Sequence, residues 1–386
     1  MNRSPFPHLP HRILFLTLTS AFAACALAGP AAYAQQVENE YTQVNLVSNG
    51  YVPAKVIDHN LVNPWGMVAS SISPIWISDQ ATNLATVYTV SAAEAGTGAL
   101  LTVGIPTVPG VPNGPTGIVF NTHPTEFTVP GPMGPVPSLF IFSNLNGTIS
   151  AWGPASKGGV ANAVVVLSNQ DEDDPGAVFT GLALGTVGNQ DYLYAVDFRP
   201  NHGITVLNKS FERASGFGPG AFMANDKLPA LPAGLIWAPY NIANLNGMMY
   251  VAYVAMPAQG GLPVTHQGLG AVAVFTPAGQ LVKVFARKGQ LDTPWGMTMA
   301  SSHFGRFSND LLVGNFGNGQ ILAFRPDGGY AGTLRGENHQ PLRNGFLWTL
   351  MFGNGAHGSD PNTLYITTGG GNQATDGLFA AIAPAK

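Results

Sequence analysis

The sequence predicts an all-β fold, a six-bladed β-propeller whose last blade is completed by the N-terminal strand of the mature chain. Three observations predict it: a motif that recurs six times, a pair of short β-rich strands after every copy, and one strand left over before the first. The clearest pair of copies is Asn63-Pro64-Trp65-Gly66-Met67 and Thr293-Pro294-Trp295-Gly296-Met297. Weaker relatives are Pro115-Thr116-Gly117-Ile118, Thr180-Gly181-Leu182-Ala183, Pro239-Tyr240-Asn241-Ile242 and Leu347-Trp348-Thr349-Leu350. Successive copies lie 51 to 65 residues apart, the length of a four-stranded blade with variable loops.

After each copy comes a strand that ends in a polar residue and a turn: residues 75–79, 139–144, 192–197, 249–253, 311–315 and 364–368. A returning strand follows at 85–90, 148–152, 203–207, 271–275, 320–324 and 377–382. Asn146-Gly147 and Asn318-Gly319 predict tight hairpins, because both residue types tolerate positive φ. Outer strands are predicted at 100–105, 163–167, 281–286 and 330–334, with only a weak one near Phe211 in the third blade. The sixth blade has none of its own, and residues 42–47 are the unmatched strand that closes the ring and removes an exposed edge. The Pro-rich stretch 124–137 reads as a loop and not as a seventh repeat.

Composition agrees with a compact, turn-rich β protein. Hydrophobic residues make up 45% and charged residues 9% of the chain, the reverse of a disordered composition. With a formal charge of −4 and no basic stripe, nucleic acid and anionic lipid are excluded as partners. Residues 1–34 read as a signal peptide: a mildly basic lead, an apolar run over 13–28, and Ala32-Tyr33-Ala34 before a cut at Gln35. The only cysteine, Cys25, lies inside that run, which continues past it, so lipid anchoring is the minor alternative. The mature chain, 35–386, is expected to be one propeller domain without disulfides or a membrane span, secreted or periplasmic, and monomeric.

The Asn-Pro-Trp-Gly opening, Gly314-Asn315-Phe316-Gly317-Asn318-Gly319, the run from Leu347 to Gly355 and Gly377-Leu378-Phe379 resemble a family of uncharacterised secreted bacterial propellers. More distantly the chain is similar to NHL-repeat, gluconolactonase-like and streptogramin-lyase-like propellers. The close family implies no activity, and the distant ones imply only a shared fold.

Polar residues gather where the chain leads into each inner strand and at the hairpins between second and third strands, which share one face. That face is the default binding site. The expected ligand-binding residues are Asn63, Trp65, Asn144, Asp197, Asn241, Trp295, Asn315 and Trp348. Against this, Asn and Asp after strands are turn formers first, and repeated aromatics commonly pack between blades. A lactonase-like metal site needs carboxylates on the inner strands; these carry none, and Asn241 is the one plausible inner-strand ligand, with Asp197 assisting. A lyase-like reaction needs a His base, for which His202 and His266 lie on the expected face. His59, His339 and His357 are weaker candidates, while His123 and His303 are assigned to peripheral loops. The acidic run Asp171-Glu172-Asp173-Asp174 lacks calcium-loop spacing and reads as a solvated connection. Two functions follow: a module binding a protein, carbohydrate or small molecule through the polar face, or a hydrolase or lyase dependent on a divalent cation such as calcium.

Overall fold

A computed structural model describes residues 40–168, 176–218 and 220–385. The leader, Cys25 and the acidic run lie outside them. Six sheets form the six blades of a β-propeller. The innermost strands are Pro64–Val68, Pro115–Phe120, Phe179–Val187, Leu235–Leu245, Pro294–Met299 and Leu347–Phe352, each touching the next and the last touching the first. Every recurring motif has become an inner strand.

The motif residues explain why the ring closes. A methyl group added at Gly66 would sit 2.3 Å from the Thr116 carbonyl oxygen, and one at Gly296 2.3 Å from that of Trp348. At Gly117 it would sit 2.5 Å from the Leu182 nitrogen. Glycine is therefore required by backbone approach between neighbouring blades. At four junctions a polar side chain crosses to the next inner strand: Thr116 Oγ1 donates to Phe179 O (2.8 Å), Thr180 Oγ1 to Tyr240 O (2.9 Å), Asn241 Nδ2 to Trp295 O (2.8 Å) and Thr349 Oγ1 to Trp65 O (2.8 Å).

The unmatched strand does what the repeat requires. Tyr41–Ser48 pairs antiparallel with Leu378–Pro384, from Tyr41 opposite Pro384 to Ser48 opposite Leu378. Val56–Ile57 adds parallel beyond it, so the sixth sheet has five strands. Tyr41 is itself buried against Phe304 and Phe307, and its hydroxyl donates to Phe304 O at 3.0 Å.

Two expectations change. The third blade has only three strands. Around Phe211 the chain turns instead, because the Asn208 side chain accepts from the Ser210 and Glu212 N–H groups and Phe211 takes φ +64°. The Pro-rich stretch of blade two is a small hairpin, Thr128–Gly131 with Gly134–Pro137. Its leading residue Phe127 is buried against Phe211, with ring centroids 5.4 Å apart. The predicted Asn-Gly turns form, but only the glycines take positive φ (Gly147 +75°, Gly319 +70°). The asparagines accept from the backbone two residues on, at Thr148 and Gln320.

Two measurements check this account. Deleting residues 40–48 should expose the strand Leu378–Pro384 and lower the melting temperature of the whole ring, read by far-UV circular dichroism. Gly296→Ala should cost about 2 kcal/mol in urea unfolding. Gly98→Ala, whose added methyl meets nothing within 4 Å, should stay within roughly 0.5 kcal/mol of wild type.

Candidate functional site: a pit in the ring

At the end where the chain leads into the inner strands, the channel is filled. Trp65 and Trp348 stack with ring centroids 3.7 Å apart, and Trp295 meets Trp348 edge-on at 5.6 Å. Tyr240, Phe316 and Phe198 complete the cluster, all buried. Trp348 Nε1 donates to Asn63 Oδ1 at 2.8 Å and Trp295 Nε1 to Thr180 O at 3.1 Å. These aromatics pack against one another, so the recurring tryptophans of the motif form a plug.

The polar residues of the same face are committed to neighbouring backbone and side-chain groups. Asn315 Oδ1 accepts from the Asp292 N–H (3.1 Å) while its amide donates to Gln290 O (2.8 Å). Asn144 donates to Thr148 O and to the Ser150 hydroxyl, at 3.1 and 3.2 Å. Asn63 takes φ +47° at the corner before Pro64, and Thr293 and Phe346 take φ +53° and +50° before their own inner strands. The Asn63 amide donates to Gln80 Oε1 at 2.7 Å.

Asp197 and Asn241, the pair expected to hold a cation, are each engaged elsewhere. Asp197 is buried, accepts from the Val178 N–H at 3.2 Å and is gripped by the Arg199 guanidinium, whose Nε lies 2.9 Å from Oδ1. Asn241 donates across the blade junction to Trp295. His202 does lie beside Asp197, with Nδ1 3.5 Å from Oδ2. It borders a cavity of about 250 Å³ between blades three and four, lined also by Phe217, Phe222, Trp237 and Tyr253. His266 is exposed, and its Nδ1 lies 2.7 Å from Gln267 O.

The open space is on the other side of the plug. A pit of about 570 Å³ runs down the ring axis, lined by segments of all six inner strands, with Trp295 and Asn241 among its walls. Its walls are mainly aliphatic: Met67, Ile118, Leu182, Ile242, Met297 and Leu350. Along each wall strand accessibility increases toward the C-terminal end. Met67, Ile118 and Ile242 are buried, Val68, Val119 and Ala243 half-buried, and Ser71, Thr122 and Asn244 exposed. The pit therefore opens on the face where the inner strands end, opposite to the one the sequence indicated. No lining residue is acidic, basic, His, Tyr or Cys.

No protein family matches the chain. An uncharacterised protein of Acanthamoeba polyphaga mimivirus is 28% identical over 338 residues, 87% of this chain and 84% of its own length. That relative is viral, where the motif resemblance pointed to a bacterial family. Among solved structures, a protein of unknown function from Bacteroides thetaiotaomicron matches 89% of this chain and 76% of its own, with TM-score 0.51 and 13% identity. Virginiamycin B lyase from Staphylococcus aureus matches 89% and 99%, with TM-score 0.44 and 12% identity. At 13% identity the likeness to the Bacteroides protein is one of fold.

One buried group stands apart. Asp79 ends the second strand of blade one with no exposure, and neither carboxylate oxygen has a hydrogen-bond partner. It shares a strand face with Ile75 and Ile77, which pack against Tyr365 and Phe379 of blade six. Burial pushes its carboxyl well above the ordinary carboxylate range, and nearby Thr86 relieves only part of that. With the folded value raised, the native state keeps its proton after the unfolded chain has lost its own. Stability present in acid is thus lost as pH rises, by about 1.4 kcal/mol per unit at most, until the folded carboxyl ionises. Asp79→Asn should be more stable than wild type at pH 8 and level with it near pH 4, in urea unfolding followed at both values.

Proposed function

We propose that the chain is a binding module whose ligand inserts an apolar or aromatic group into the central pit. The observation that carries this is the pit itself: about 570 Å³, within the range of small-molecule sites, and largely aliphatic in its walls. Exposed Asn244, Thr122 and Ser71 at the mouth supply hydrogen-bonding groups for the polar remainder of such a ligand. A small molecule, or a side chain presented by a protein, satisfies this chemistry. A carbohydrate fits it less well, because sugar recognition wants an exposed aromatic face and the recurrent tryptophans are turned toward each other.

Catalysis of the lyase or lactonase kind would need a base or a charged metal ligand at the reacting atom. The walls offer neither, which favours binding over turnover. With the leader read in residues 1–34, the module would work outside the cytoplasm.

The apolar probe 1-anilinonaphthalene-8-sulfonate tests the reading. Saturable binding of one probe per chain is expected, weakened at least tenfold by Ala69→Trp or Ala243→Trp, which fill the pit, and unaffected by Ala258→Trp on the exposed surface. Absence of saturable binding, or equal binding by the filled variants, would overturn it.

A further inference from the structure

Beside the mouth of the pit, between blades two and three, three potential ligands converge. His123 and Glu126 lie in the loop that leaves the inner strand of blade two, and Asp191 lies at the start of the second strand of blade three. One ligand atom from each falls within 4.8 Å of the other two, the only such grouping of His, Cys, Asp and Glu among the described residues. His123 Nδ1 is 2.8 Å from Asp191 Oδ2.

Local structure holds the three in place. Asn121 Oδ1 accepts from the His123 N–H at 3.0 Å, and its amide donates to Glu126 O at 3.0 Å and Ser138 O at 3.1 Å. The Glu126 N–H closes the turn on His123 O. On the facing blade, the Thr186 hydroxyl donates to Asp191 Oδ1 at 2.6 Å, which leaves Oδ2 for the imidazole.

Electrostatically the group is unfinished. Lys209 Nζ lies 3.6 Å from Glu126 Oε1 and is itself 63% exposed, so it is a loose partner that can swing away. Glu126 Oε2 is withdrawn from solvent and has no hydrogen-bond partner. A buried carboxylate oxygen without a donor is costly, and a cation at the group relieves that cost.

We infer that His123, Glu126 and Asp191 form a binding site for a transition-metal dication, zinc above all. One imidazole nitrogen and two carboxylate oxygens suit zinc, whereas calcium takes six or more oxygen ligands. With metal–ligand bonds of about 2.0–2.1 Å, ligand atoms stand roughly 3.3 Å apart around a tetrahedral ion. Here His123 Nδ1 and Asp191 Oδ2 stand 2.8 Å apart, and all three ligand atoms lie within 4.8 Å of one another, so small side-chain adjustments reach that spacing. Three protein ligands leave a fourth position for water or a ligand atom. Thr122, the residue before His123, belongs to the pit wall, so the ion would sit next to the binding mouth. The site stands whether or not the pit binds an apolar group.

Isothermal titration of purified, tag-free, chelator-treated protein with zinc chloride, and separately with calcium chloride, tests the assignment. One zinc per chain is expected, bound at least tenfold more tightly than calcium. Binding should weaken at least tenfold in His123→Gln and in Asp191→Asn, with a zinc-dependent rise in melting temperature seen in wild type alone. His123 is about half exposed, so His123→Gln should melt like wild type without metal, which separates loss of a ligand from loss of the fold. No stoichiometric zinc, unchanged binding in both variants, or a preference for calcium would each overturn the assignment.

Discussion

The narrowness of the inner ring governs the rest of the molecule. Six strands around one axis bring neighbouring backbones so close that a single methyl group at Gly66, Gly117 or Gly296 meets backbone atoms of the next blade. Where glycine is absent, Asn241 and Thr349 stand in its place and turn the proximity into hydrogen bonds to Trp295 and Trp65. A ring this tight leaves little width along the axis. Large side chains at one end fill it, and smaller aliphatic ones at the other leave it open. Plug and pit are two ends of one constraint.

The same geometry accounts for the polar residues that collect on the plugged face. Each blade must turn a sharp corner before its inner strand, and corners with positive φ or unpaired N–H groups recruit Asn and Asp. Asn315 binds the backbone of Gln290 and Asp292, and Asp197 binds that of Val178. A sequence that looks like a ring of ligands is, at these positions, a ring of fastenings. Asp79 occupies the equivalent place without such a fastening, and burial there raises its proton affinity.

The blade count, the inner strands and the closing strand were legible because they rest on periodicity, which survives variation in loops. The packing of the recurring aromatic rings was not. Trp65, Trp295 and Trp348 are recognisable as equivalent from their motifs, yet the motifs do not say whether the rings face outward or each other. That depends on the ring diameter, which is a tertiary quantity. His123, Glu126 and Asp191 escaped for a related reason. They come from different repeats, at positions that no other blade echoes, so a search for self-similarity passes over them. A turn signal was present in Asn121, whose side chain orders the His123 loop. Only the juxtaposition of blades two and three brings Asp191 to it. The irregular Phe211 turn shows the reverse limit, where one local asparagine, Asn208, overrides a strand the repeat would have continued.

The pairing of Tyr41–Ser48 with Leu378–Pro384 also has a meaning for the order of events during synthesis. The strand Tyr41–Ser48 finds its partner only after the five blades between them have been made and Leu378–Pro384 has emerged. Until then the growing chain carries two unsatisfied strand edges, one at each end of an open arc, and both are templates for pairing with other chains. Blades one to five can assemble in sequence as they appear. The seam between the ends must wait, which makes it the slowest contact by loop-closure entropy and the stage at which an incomplete ring is most exposed to its neighbours.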